Sequence, residues 1–325
     1  MKKRALVLGG AGFIGSHLLQ SLASSGEYDL LVSGDIRPPR FSVSDVDYKT
    51  INVCDPISTD VCPGCTEIYN LAAVHTTPGH ADWEYYWTNV LGAIHACDYA
   101  RAHRVSRILF TSSIAVYGAT EEPVDELSSC QPESSYGRSK FAAEQIHRLW
   151  QSECSDDRRL TIVRPGVIYG FREQGNFTRL ANLLSKKMFF YPGRKDTIKS
   201  CGYVKDLVRS FSFMIARNQP LITYNYCYPE RLTSEDICNA FSEVAGYPKA
   251  NRVIPLSLML AAGWFFEQLG ALGVKTSINR ARVMKLNRST NILPMVLKDC
   301  QFDFSYSFPA SLHDWLQSST SGQFE

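Results

Sequence analysis

Several features that would direct a chain of 325 residues elsewhere are missing here. No stretch reaches the roughly 18 uncharged apolar residues of a membrane-spanning helix. Met1-Lys2-Lys3-Arg4 resembles the charged head of a signal peptide. The apolar run behind it, Ala5-Leu6-Val7-Leu8, stops at Gly9-Gly10, too short for a leader, and reads as a first strand. The net charge of +2 comes with no dense Lys/Arg run, which excludes the electrostatic footprint of a nucleic-acid binder. The ten cysteines form no framework. Cys62-Pro63-Gly64-Cys65 is an isolated CxxC, and no Cys/His set stands at metal-ligand spacing, so no metal site is expected. Free thiols fit a reducing, cytoplasmic setting. Internal repeats and low-complexity segments are also lacking.

What is present is an alternation of short apolar strands with helical segments. Ala5–Leu8, Asp29–Ser33, Tyr48–Val53, Glu67–Leu71, Arg107–Thr111 and Leu160–Arg164 read as buried parallel strands. Residues 12–24, 82–103 and 134–153 read as the helices between them. This alternation predicts an α/β fold with a doubly wound parallel sheet, whose strands present their carboxyl ends to ligands along one edge. The aromatic run Trp83, Tyr85, Tyr86 and Trp87 is expected to pack the fourth helix. Beyond about residue 170 the pattern loosens.

Gly9-Gly10-Ala11-Gly12-Phe13-Ile14-Gly15 follows the first strand and opens the first helix, the context in which a glycine motif carries meaning. Its glycines allow a tight turn and bring backbone N–H groups to a pyrophosphate at the helix's positive end. Asp35 stands 20 residues after Gly15, where a carboxylate accepts from an adenosine ribose and repels a 2′-phosphate. That favours NAD over NADP, although Arg37 nearby is able to receive a 2′-phosphate. Tyr136-Gly137-Arg138-Ser139-Lys140 puts a phenol and an ammonium on one helical face, and Thr111-Ser112-Ser113 ends the fifth strand at the same edge. An ammonium about 4 Å from the phenol is worth roughly 4 kcal/mol at an effective dielectric near 20. It is therefore expected to draw Tyr136 down from its ordinary value toward neutrality. Tyr136 would then act as the base at a sugar hydroxyl, with Ser113 bonded to the same oxygen.

With these pieces in order, the chain resembles the extended short-chain dehydrogenase/reductase family, the NAD-dependent epimerase/dehydratase group. Further matching segments are Asn70–Ala73, Asn89–Gly92, Ser112–Gly118, Arg164–Gly170 and Tyr203–Leu207. The resemblance implies a Rossmann-type cofactor domain over residues 1–170 and about 200–227, with a smaller C-terminal substrate-binding lobe over 171–199 and 228–325. It implies catalysis by Ser113, Tyr136 and Lys140. The candidate cofactor contacts are Gly9, Gly12, Phe13, Ile14, Gly15, Asp35, Arg37, Val53, Asp55, Leu71, Ala72, Ala73, His75, Tyr136, Lys140, Pro165 and Val167.

Ile114-Ala115 follows Ser113 where the family's 4,6-dehydratases carry Asp-Glu, which points away from dehydration and toward a 4-epimerase. Such an enzyme oxidises C4 transiently and returns hydride to the other face. A reductase or dehydrogenase of a 4-keto nucleotide sugar, or of a sterol-like substrate, is the alternative; a catalytically silent NAD(P) sensor is a third. Val167 stands where many nucleotide-sugar epimerases have an Asn touching the diphosphate. The segments 171–177 and 199–203 look more like bacterial epimerases acting on N-acetylglucosamine joined through diphosphate to a polyprenol. Arg172, Asn176, Lys199 and Arg282 are the candidates for holding such a substrate, a nucleotide- or polyprenyl-linked hexose or N-acetylhexosamine. The apolar segment Val253–Val274, followed by Arg280, Arg282, Lys285 and Arg288, is either a packed helix or a peripheral contact at the inner face of a membrane. A homodimer, the usual family arrangement, is expected across 82–103 and 134–153.

Overall fold

The computed structural model describes residues 3–76, 79–271 and 280–325, without the side chains of 269–271. Seven parallel strands form the central sheet: β1 (Lys3–Leu8), β2 (Tyr28–Asp35), β3 (Asp47–Thr50), β4 (Glu67–Asn70), β5 (Arg107–Thr111), β6 (Arg159–Pro165) and β7 (Leu221–Tyr226). Their spatial order is β7-β6-β5-β4-β1-β2-β3. The order reverses between β1 and β4, which opens a crevice at the carboxyl ends of those strands.

Side-chain alternation along each strand feeds two cores. Leu6 and Leu8 of β1 join Ile68, Ile108 and Phe110 beneath α2 (Asp82–Ala102) and α3 (Ser135–Ser152), while Ala5 and Val7 face α1 (Phe13–Ser25) and α5 (Val204–Ile215). Burial on both faces explains the continuous apolar runs of these strands. The third strand is shorter than expected: Ile51 and Val53 are buried, yet pairing with β2 ends at Thr50.

After β6 the chain leaves the sheet, forms α4 (Asn176–Ser185), and returns through α5 to β7. The second lobe packs α4, α6 (Ser234–Ala245) and α10 (Phe308–Ser318) around an aromatic cluster that includes Tyr169, Phe177, Phe241 and Trp315. Between them lie α7 (Leu256–Ala271), α8 (Arg280–Asn287) and α9 (Met295–Asp299).

The apolar segment opens with Val253–Ile254 paired in parallel with Tyr191–Pro192, and α7 then starts at Leu256, directly after Pro255, the residue that suits a helix start; Leu272 and Val274 lie outside the described residues. One expectation needs correction: the aromatic run does not pack the core as a unit. Tyr85 is buried, but Tyr86 is exposed and Trp83 and Trp87 are 65% and 56% exposed, because a 100° step per residue turns them to the outer side of α2.

Candidate active site

The glycine turn is built for close approach. A β-carbon at Gly15 would lie 2.3 Å from Gly9 O, so only glycine lets α1 begin this close to the turn. Gly12 is the N-cap of α1, yet no side chain caps it and no acidic residue stands in the first turn. The first N–H groups, those of Phe13 and Ile14 among them, are thus left for an external anion, the condition a dinucleotide's pyrophosphate satisfies. Asp35 ends β2 beside this turn. Its Oδ2 accepts from Ala11 N at 3.2 Å and its Oδ1 from Arg37 N at 3.1 Å. With Ser33, Tyr48 and the segment 36–39 they line a cavity of about 250 Å³. A carboxylate inside a cavity at the end of β2 fits the adenosine ribose, and these residues therefore fit NAD.

Other candidate cofactor residues gather along the same edge. Leu71 N donates to Leu8 O at 2.8 Å, which carries the Leu71–Val74 segment past the glycine turn. Asn89 of α2 holds this segment from outside: its Oδ1 accepts from Val74 N at 2.9 Å, and its Nδ2 donates to Val74 O at 3.1 Å and to Ser139 Oγ at 2.9 Å. One buried amide thus links the segment after β4 to α3. Asp55 is exposed and accepts from Asn52 Nδ2 at 2.8 Å, whereas Val53 is buried under Gly92. His75 is exposed beyond Val74. Pro165 closes β6, and Val167 begins a short strand paired with Cys201–Tyr203.

Ser113 caps a single 3₁₀ turn, Ile114–Val116, by accepting from Ala115 N at 3.1 Å. Helix α3, which carries Tyr136 and Lys140, starts opposite it, with Ser134 capping Gly137 N at 3.0 Å. A β-carbon at Gly137 would fall 2.4 Å from Ala115 O, so α3 sits directly on the serine's turn. Tyr136 and Lys140 stand one turn apart on α3, with the Ser113 side chain close enough to the Tyr136 phenol to favour its charged form. Tyr85 packs 6.2 Å from the Tyr136 ring. Lys140 is 2% exposed, with Nζ 4.5 Å from the centre of the Phe110 ring.

The electrostatics differ from the sequence expectation. Burial raises Tyr136 above the ordinary tyrosine value, opposed only by the Ser113 hydrogen bond. Burial likewise pushes Lys140 down to about 7, with the Glu144 carboxylate acting against it. A pairwise Coulomb sum omits the cost of bringing both groups out of water, and burial acts against charge on each of them.

The sequence reading missed the group behind Lys140. Glu144, fully buried one turn further along α3, accepts from Ser112 Oγ at 2.5 Å and from Arg164 Nε and Nη2 at 2.9 and 2.7 Å. Arg164 also donates to Tyr117 Oη at 2.7 Å, and Tyr117 donates to Asn225 Oδ1 at 2.9 Å. The network ties α3 to β6, to β7 and to both ends of the serine's turn. The spacing Tyr136, Lys140, Glu144, four residues each, was the available signal.

The four substrate candidates do not converge. Lys199 donates to Lys285 O at 3.0 Å and Arg288 O at 2.7 Å, at the end of α8, which also carries Arg282. Burial first, then the neighbouring Arg194 charge, pushes Lys199 down to about 7. Asn176 is exposed at the start of α4. Arg172 is drawn elsewhere: its guanidinium donates to Arg40 O, on the segment after β2.

This fold and this site define an NAD-dependent enzyme of the extended short-chain dehydrogenase/reductase type. The model of the NAD dependent epimerase/dehydratase family matches residues 5–227, and the chain belongs to that family. It is 26% identical over 322 residues, covering 98% of this chain and 95% of the relative, to N-acetyl-alpha-D-glucosaminyl-diphospho-ditrans,octacis-undecaprenol 4-epimerase of Escherichia coli O157:H7. Among solved structures it is similar to UDP-N-acetylglucosamine 4-epimerase from Bacillus cereus, with a TM-score of 0.73 at 18% identity over 96% of this chain and 95% of that one. It is also similar to a UDP-glucuronic acid 4-epimerase from Bacillus cereus in complex with UDP-4-deoxy-4-fluoro-glucuronic acid and NAD, with a TM-score of 0.75 at 17% identity over 96% and 97% of the two chains.

Proposed function

We propose that this enzyme is an NAD-dependent 4-epimerase of an N-acetylhexosamine joined through diphosphate to a polyprenyl carrier. The observation that carries this reading is end-to-end similarity to the undecaprenol-linked 4-epimerase, substrate lobe included, on a chain with Ser113, Tyr136 and Lys140 in place. Bound NAD supplies the acceptor for hydrogen from C4. The chain's own residues handle the proton. Tyr136 takes it from the C4 hydroxyl and gives it back, while Ser113 holds that oxygen and the phenol in one hydrogen-bonded unit. Lys140 contributes positive charge to the phenolate as it forms. Ile114-Ala115 places no carboxylate beside Ser113, which supports epimerisation over dehydration.

Two features support the diphosphate and the lipid. Lys199 is held at about 7, and burial and the adjacent Arg282 charge keep Lys285 below its usual value. Cations crowded in this way gain most from a polyanion, and a diphosphate supplies one. On the helix just before them, Leu258, Trp264 and Phe265 are each more than half exposed. No helix among the described residues is long and apolar enough to cross a membrane, so contact would be peripheral.

Purified enzyme incubated separately with UDP-N-acetylglucosamine and with the polyprenyl-diphosphate form should convert the lipid-linked sugar to its C4 epimer without consuming NADH. Exclusive turnover of the nucleotide sugar, or stoichiometric NADH oxidation, would refute the proposal. In flotation assays, vesicles rich in anionic lipid should carry the enzyme, and Trp264→Ser with Phe265→Ser should release most of it. Equal flotation of the double variant counts against a membrane role for α7.

A further inference from the structure

The segment that follows β2 has two sides. On one, Ile36, Arg37, Pro38 and Pro39 line the cavity that holds Asp35, the carboxylate placed for the adenosine ribose. On the other, Arg40 reaches the substrate lobe. Arg40 Nη1 donates to Arg172 O at 2.8 Å, and Arg172 Nη1 donates back to Arg40 O at 2.5 Å. This reciprocal pair joins residues 132 positions apart. The Arg172 guanidinium lies 5.7 Å from the centre of the Phe41 ring and 5.2 Å from that of Phe171. His17 on α1 closes the third side. Its ring meets Phe41 edge-on at 5.6 Å, and its Nε2–H donates to Phe171 O at 3.0 Å. Burial keeps this histidine below its usual value, consistent with a neutral ring in that role.

The backbone at Arg172 supplies an independent observation. Its φ is +66°, a conformation natural to glycine and strained for arginine. Strain of this kind persists where the side chain has a use. Besides its neighbour Phe171, the guanidinium meets Arg40 O and the Phe41 face, and both of these lie on the β2–β3 segment.

We propose that Arg40 and Arg172 form a clasp between the lobes that holds the β2–β3 segment over the adenosine end of NAD and slows release of the cofactor. The purpose follows from the proposed epimerase chemistry, on which it rests: hydrogen removed from C4 must return to the same molecule, so cofactor loss between the half-reactions strands a ketone. The clasp itself requires only that the enzyme binds NAD.

The test loads purified enzyme with NADH, mixes it with excess NAD, and follows the decay of bound-NADH fluorescence in the absence of any sugar. Arg172→Gly and Arg40→Ala should each speed release about tenfold, as expected when one member of the reciprocal pair and its charge-assisted bond are lost. Arg172→Gly should also melt at the same temperature as the parent or above it, because glycine relaxes the φ of +66°. Faster release with undiminished thermal stability separates a clasp from general loosening of the fold. Unchanged release rates in both variants overturn the proposal. Since no sugar is present, that result would leave the epimerase reading standing, and failure of epimerisation would leave the clasp standing.

Discussion

Replacing Tyr136 by phenylalanine is expected to lower turnover by about a thousandfold or more while the protein keeps its NAD. General acid–base groups contribute about 10²- to 10⁴-fold, and in the proposed mechanism this phenol handles the same proton in both half-reactions. A thousandfold loss corresponds to about 4 kcal/mol of barrier. Among the described residues, Ser113 and Lys140 are the other polar groups of the triad, and neither replaces it. Ser113 is a poor base, and its Oγ already accepts from Ala115 N. Lys140 is buried against Phe110, one helical turn away. The ring of a phenylalanine keeps the packing against Tyr85, so the fold should be unaffected. Product analysis together with the absorbance of bound cofactor measures both halves of this expectation. Residual turnover within tenfold of the parent would mean that another group carries the proton.

The second large effect concerns stability. Glu144→Ala should cost about 3–5 kcal/mol, because it leaves the buried Arg164 guanidinium without its carboxylate. Ser112 Oγ loses its acceptor in the same step. Denaturant unfolding reads this directly, and the shift should appear in the midpoint rather than in the slope. Joint replacement of Glu144 and Arg164 by apolar residues of similar volume should recover much of the loss, since the pair's desolvation cost disappears with it. A loss of under about 1 kcal/mol in the single variant would mean that Arg164 reaches water or another anion once the carboxylate is gone.

The parts of this molecule that were legible in the sequence are those fixed by local spacing. The glycine turn, Asp35 at the end of β2, and Tyr136 with Lys140 one turn apart are each specified within a few residues of chain, and the strands announced themselves by being apolar on both faces. The unreadable parts depend on contacts across the fold. Arg172 resembles a surface cation available to a phosphate until Arg40, 132 residues away, is seen beside it. Lys199 resembles a free point charge until the end of α8 comes down on its ammonium. The direction of the Tyr136 shift was misjudged for a related reason. The spacing to Lys140 is implied by helical geometry, but the burial that raises the phenol and lowers the ammonium depends on everything packed around them. Trp83 and Trp87 show the converse: helical phase alone turns them outward, and reading their hydrophobicity without that phase assigned them to the interior.

Gly137 carries a consequence for anyone wishing to redesign this enzyme. Because α3 packs against the Ala115 carbonyl with no room for a side chain at Gly137, the relative placement of phenol and serine hydroxyl depends on this close main-chain approach. A single methyl group added at position 137 would collide with the Ala115 carbonyl and push α3, with its phenol, away from the serine.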